Sequence, residues 1–159
     1  MDNLSGCGFY SAGQGDDAVA MAHSGYDFVV RLAQNEKPFS DFVALCQREV
    51  SPHFPEFLAH ETKGGFSVSI VEKLEPVSVE DTEFWDTVYH AASLAYAIAD
   101  GRPCFGQNSP EALTLAAGKL GKAARHHYYA LDLSVENIMR RKSSGEVVFN
   151  DPWSPWGES

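Results

Sequence analysis

The chain has 159 residues, 44% hydrophobic, 12% aromatic and 21% charged, with 12 Lys and Arg against 22 Asp and Glu. One domain's length with ordinary globular composition excludes collagen-like, low-complexity and fully disordered chains. The formal net charge of −10 argues against a nucleic-acid binder, which needs a basic footprint, and suits a protein that keeps clear of anionic membranes or approaches a basic partner. Charge alone also leaves a DNA mimic open.

No apolar run approaches the ~18–20 residues that span a bilayer, so no membrane association is expected. Met1 to Gly6 lacks the basic flank and apolar core of a signal peptide. Cys7, Cys46 and Cys104 are an odd, widely spaced set, which fits reduced thiols and a cytoplasmic location. The histidines are scattered apart from His126-His127, which gives a zinc site little support.

The first seventy residues read mostly as strands. Gly6 to Gly13 is small and glycine-rich, and a polar stretch separates it from Tyr26–Leu32, an apolar, β-branched run read as a strand. Phe39, Phe42, Val43, Cys46 and Val50 then recur at helical spacing, and Pro52 and Pro55 end that helix. Glu56–Thr62 and Phe66–Glu72 form an expected hairpin across Lys63-Gly64-Gly65, its second arm alternating Phe66, Val68 and Ile70 as a half-buried strand does. After the connector Glu72 to Pro76, Phe84, Val88, Ala91, Ala95 and Ile98 mark a second helix, which Asp100 to Pro103 stop. Ser109 as N-cap and Pro110 at the first helical position open a third, carried by Leu113, Ala117, Leu120 and Ala124. Asn137–Arg141 and Glu146–Asn150 read as two short strands joined by Lys142 to Gly145.

The segment with chemical content is Leu131-Asp132-Leu133-Ser134-Val135-Glu136-Asn137-Ile138-Met139, followed by Val147-Val148-Phe149-Asn150-Asp151-Pro152. It resembles the protein-kinase superfamily, whose catalytic loop places Asn five positions after its Asp and whose next hairpin delivers a metal-binding Asp. The resemblance implies Asp132 as the carboxylate that orients the attacking hydroxyl and takes its proton, with Asn137 and Asp151 as Mg²⁺ ligands. Phosphoryl transfer needs oxygen ligands that hold Mg²⁺ against ATP, because the work is positioning and charge neutralisation.

The same resemblance extends over roughly residues 4–153. It implies Gly6, Gly8 and Ser11 as the phosphate cover, Arg31 where the family has its strand Lys, Glu49 as its helix ion-pair partner, and Glu72 to Leu74 as the adenine-contacting hinge. Bland readings stand beside these: Gly6-Cys7-Gly8 as an ordinary turn, Arg31 as a snorkelling side chain, Glu49 and the row Lys119, Lys122 and Arg125 as solvated helix faces. Trp153 and Trp156 are expected to fold back onto the core.

Departures from the family pattern bear on function. Ala130-Leu131 replaces the usual His-Arg, Arg31 is larger and forked where Lys is compact, and the eight residues after Asp151 hold no activation segment. The expectation is therefore an α+β fold of minimal, truncated kinase type, similar to small kinase-like proteins of phages and bacterial effectors. One domain, 1–159, would divide into an N-lobe (1–75) and a short, mostly helical C-lobe (76–159) ending in a β-hairpin, with ATP between them. The implied activity is an ATP- and Mg²⁺-dependent Ser/Thr protein kinase acting on a host or regulatory protein. The alternatives are a catalytically dead kinase-like protein that blocks a partner, such as a host defence complex with a basic surface, and a small-molecule phosphotransferase.

Overall fold

A computed structural model of the chain describes residues 6–14, 18–34, 36–104 and 109–156. Residues 4 and 5, where the kinase resemblance begins, lie outside them. The architecture is α+β: three helices and nine strands among the described residues. The chain divides into two compact units, one of residues 1–48 and 55–73, the other of 49–54 and 74–159.

The first unit is a five-stranded antiparallel sheet with one helix. In chain order come β1 (Phe9–Gln14), β2 (Ala18–His23), β3 (Phe28–Gln34), helix α1 (Lys37–Arg48), β4 (Phe57–Lys63) and β5 (Phe66–Glu72). The spatial order is β1-β2-β3-β5-β4. β1 and β2 fall within the stretch that the sequence reading treats as glycine-rich and polar. Ala18, Ala20 and Ala22 carry little β propensity alone, and pairing with β3 supplies what propensity lacks. The β4–β5 hairpin turns through Gly64 (φ +61°) and Gly65 (φ +80°), two successive left-handed residues that match the twist of the flanking strands.

Helix α1 buries Pro38, Phe39, Phe42, Val43 and Leu45. Phe57 of β4 meets Phe39 and Phe42 edge-on, with centroids 6.0 and 6.3 Å apart. Each large apolar side chain buried this way is worth about 1.5–3 kcal/mol. The alternation expected in β5 is present, but its faces are exchanged. Ser67 and Ser69 are buried, while Phe66 and Val68 are 62% and 43% exposed. Ser69 is satisfied by His60, whose Nδ1 lies 2.8 Å from its Oγ. That bond is what makes serine tolerable on the covered face.

The second unit pairs two helices with two small ribbons. Helix α2 (Thr82–Ala99) is capped by Asp81, whose side chain accepts from the Phe84 N–H at 3.2 Å. Helix α3 runs Glu111–His127. It starts one residue later than expected: Pro110 is the N-cap and Ser109 lies outside, because Pro110 is extended (ψ 144°) and has no side chain to cap with. The helices cross closely at Gly121, where an added Cβ would lie 2.5 Å from the Ala95 carbonyl oxygen.

Strands β6 (Tyr129–Leu131) and β9 (Trp153–Pro155) form one ribbon, and β7 (Ile138–Arg140) and β8 (Val147–Phe149) the other. The segment 49–54 belongs to this unit through specific bonds. The Phe149 N–H donates to the His53 carbonyl (2.9 Å), His53 Nδ1 lies 2.7 Å from the Val147 oxygen, and Arg141 donates to the Phe54 carbonyl (3.1 Å) and to that of Pro52. Trp153 is buried as expected, whereas Trp156 is 76% exposed, one position beyond the end of its strand.

Candidate functional site

Asp132 is the first residue after β6, and its peptide continues the ribbon: its N–H donates to the Pro152 carbonyl at 2.8 Å. The chain then turns through Ser134–Asn137, closed by a bond from the Asn137 N–H to the Ser134 oxygen (3.0 Å). The Asn137 side-chain amide donates back to the Asp132 carbonyl at 3.1 Å. The Asn137 carbonyl accepts from the Asn150 N–H at 2.8 Å. Two loops, 132–137 and 150–152, are thus laced together, and Asp132, Asn137 and Asp151 all lie on them.

Asp151 has a left-handed backbone (φ +52°), a conformation that Asp tolerates better than most residues because its short side chain can bond locally. Asp132 is exposed, and Asn137 and Asp151 are half-buried. The chemistry of the set is two carboxylates plus one amide. With its Nδ2 committed to the Asp132 carbonyl, Asn137 keeps its Oδ1 as an oxygen donor. Hard-oxygen donors of this kind suit Mg²⁺ rather than a thiolate- or imidazole-seeking metal. Among the described residues no three His, Cys, Asp or Glu gather into a metal-binding group, so any cation here would depend on the amide and on a ligand's own oxygens.

Tyr96, on the second helix, has a role that helical periodicity does not reveal. From α2 its hydroxyl donates to the Leu131 carbonyl (3.4 Å) and accepts from the Leu133 N–H (3.2 Å). Tyr96 therefore grips the chain on both sides of Asp132.

The remaining predicted residues have definite places. In the first unit, Gly6 and Gly8 lie in the turn that precedes β1, and Ser11 is an exposed β1 residue opposite Met21. Gly8 is required there: φ is +84°, and a Cβ would sit 2.8 Å from the His23 ring. Arg31 is central in β3, opposite Ala20 and Ser69, with its guanidinium 3.6 Å above the Phe39 ring centroid. The Glu72 carboxylate accepts from the Glu56 N–H at 3.0 Å, while the Glu72 N–H donates to the Glu56 carbonyl.

In the second unit, Leu74 is half-buried, and Glu49, just past the end of α1, accepts an ion pair from Lys119 of α3 at 2.6 Å. Lys119 is thus a tethered side chain rather than part of a solvated row. A depression of about 550 Å³ in the same unit is lined by His53, Asp81, Phe84, Leu113 and Arg140, and by none of Asp132, Asn137 and Asp151.

The perturbed groups lie outside the loop pair. Arg140 bonds Asp81 and, with the Phe84 N–H, holds that carboxyl below the usual range. Burial, then the nearby Arg31 charge, pushes His60 below the usual histidine value. Burial pushes the Cys46 thiol far up, which makes it unreactive. No helix among the described residues is long and apolar enough to cross a membrane. No family model matches the chain, and no curated protein matches it in sequence.

Proposed function

We propose that the protein is a phosphotransferase of minimal protein-kinase type, using ATP and Mg²⁺ to phosphorylate Ser or Thr of a protein. The single observation that supports this most is the lacing of the 132–137 and 150–152 loops, which brings Asp132, Asn137 and Asp151 onto one joined pair of turns. When bound, Mg²⁺-ATP supplies the transferable phosphoryl group and the charge that neutralises it.

The chain's own residues have separable tasks in this reading. Asp132, exposed and fixed at both its N–H and its carbonyl, orients the acceptor hydroxyl and takes its proton. Asn137, through its Oδ1, and the Asp151 carboxylate would hold the metal. Tyr96 keeps the Asp132 backbone in register. The kinase resemblance assigns phosphate contact to Arg31 and contact with the nucleotide base to Glu72 and Leu74.

A catalytically dead binder is favoured by one specific observation. The Arg31 guanidinium stacks on Phe39, so the residue in the position of the family's strand Lys is engaged with its own helix. The deciding experiment is transfer of the γ-phosphate from labelled ATP to a protein acceptor or to the chain itself, with and without Mg²⁺. Mg²⁺-dependent labelling that Asp132→Asn abolishes supports the enzyme. Equal labelling in Asp132→Asn, or none in the wild type, refutes it.

A further inference from the structure

The chain as a whole is strongly acidic, yet residues 112–131 contain no Asp or Glu. That stretch holds Lys119, Lys122, Arg125, His126 and His127. Lys119 is taken by Glu49, whereas Lys122, Arg125, His126 and His127 are exposed at the end of α3. Cations in the last turn of a helix complement its dipole, and that accounts for Arg125 in part.

It does not account for what lies beside them. Tyr128, the left-handed cap of α3 (φ +59°), is 82% exposed, and Trp156 is 76% exposed. The β6–β9 ribbon pairs Tyr129 with Pro155, so Tyr128 and Trp156 are the next positions outward on its two arms. Two bare aromatic residues therefore stand at the open end of one ribbon. They are backed by a firm ladder: His127 stacks on Tyr129 (5.4 Å), and Tyr129 packs against the buried Trp153 (5.8 Å). Asp100, the acid on the adjoining α2 terminus, is neutralised by Arg102 at 2.8 Å, and the Arg125 guanidinium lies against Gly101.

We propose that this corner, formed by Lys122, Arg125, His126, Tyr128 and Trp156, is a docking surface for an acidic, apolar-flanked segment of a protein partner. Arg, Tyr and Trp are the residues that most often carry interface energy, and here they sit on a rigid base, so little is lost in ordering them. Charge complementarity selects the occupant. The net charge suits a basic partner at long range, whereas this corner is the opposite sign at short range. A nucleic acid fits less well, because its backbone charge runs on beyond the cluster and over a surface whose chain carries −10, within the ~8–10 Å reach of unscreened charge. A short acidic segment ends where the cations end. The inference does not depend on phosphoryl transfer.

The test is fluorescence anisotropy on the full chain without nucleotide or Mg²⁺, so that its result is separate from that of the labelling assay. The probes are a short labelled peptide of alternating Glu and Leu, the same peptide with Lys for Glu, and a single-stranded oligonucleotide of equal charge. Saturable binding of the acidic peptide is expected, weakening as salt rises and falling roughly tenfold or more both in Lys122→Glu/Arg125→Glu and in Tyr128→Ser/Trp156→Ser. Circular dichroism verifies the fold of each variant. If charge reversal unfolds the chain, Lys122→Gln/Arg125→Gln replaces it with the same expected direction. No saturable binding, undiminished binding in the folded variants, or tighter binding of the oligonucleotide or the Lys peptide would overturn the proposal.

Discussion

The side-chain amide of Asn137 donates to the main-chain carbonyl of Asp132 at 3.1 Å, so a candidate metal ligand is also the clasp of the loop that presents the candidate base. Asn137→Asp removes the donor and sets a carboxylate against a carbonyl. Lost stability of about 1–3 kcal/mol is expected in urea unfolding, together with loss of any phosphate transfer. A variant as stable as the wild type would mean that the clasp is not used.

Tyr96→Phe removes one donor and one acceptor flanking Asp132 without changing the packed ring. Transfer is expected to fall in kcat while the KM for ATP stays near its wild-type value, because the bonds touch the loop and not the nucleotide. The cost to stability should be about 1–2 kcal/mol, read as a lowered Tm.

Two glycines on α3 should respond oppositely to alanine. At Gly121 the new methyl would meet the Ala95 carbonyl oxygen at 2.5 Å, and the helices must part, at a cost of about 1–3 kcal/mol. At Gly118 the nearest atom is Ile98 Cδ1 at an ordinary 3.8 Å, so helix propensity dominates and Gly118→Ala should stabilise by up to about 1 kcal/mol. Denaturant melts of both variants give the comparison directly.

Acid should weaken the two units through different groups. His60 is held below the usual histidine value, so below about pH 6.5 the unfolded chain takes up its proton first. Stability of the first unit is therefore full above that pH and falls as pH drops towards the folded value. Asp81 and Glu146 are also depressed, in their case chiefly by hydrogen bonds from Arg140 and Ser144. Their contribution is present above the ordinary carboxylate range and disappears as pH falls through their folded values. His60→Gln should flatten the upper part of a Tm-versus-pH curve, and Asp81→Asn only the lower part.

Most of the fold is legible where periodicity is strong or a turn is marked, as around Lys142 to Gly145 between the short β7 and β8, and fails where strands are made of alanine or are paired without a turn between them. The stripe Phe39, Phe42, Val43 and the paired glycines Gly64-Gly65 identify α1 and the β4–β5 hairpin within one or two residues. β2 is hidden because Ala18, Ala20 and Ala22 give no apolar contrast, and β6 and β9 because they pair far apart in sequence with no turn signal joining them. The exchange of faces in β5 is also invisible from alternation alone: Phe66 and Val68 look like the inner set, and only the His60 bond to Ser69 shows why serine is inside. Asp132, Asn137 and Asp151 stand out through the family resemblance, and the loops that carry them are laced together in the structure. Tyr96 does not stand out, since its role depends on where α2 passes the loop.

The order in which residues leave the ribosome gives the segment 49–54 an awkward history. It belongs to the second unit, yet it is synthesised before β4 and β5 complete the first. His53 must wait for Val147 and Phe149, more than ninety residues later, before its bonds can form. Until then a buried histidine and the neighbouring Phe54 are without their final surroundings while the sheet beside them in sequence is already able to close. A fragment beginning at residue 74 would lack this segment altogether, so cutting the chain between its two units does not yield the second one intact.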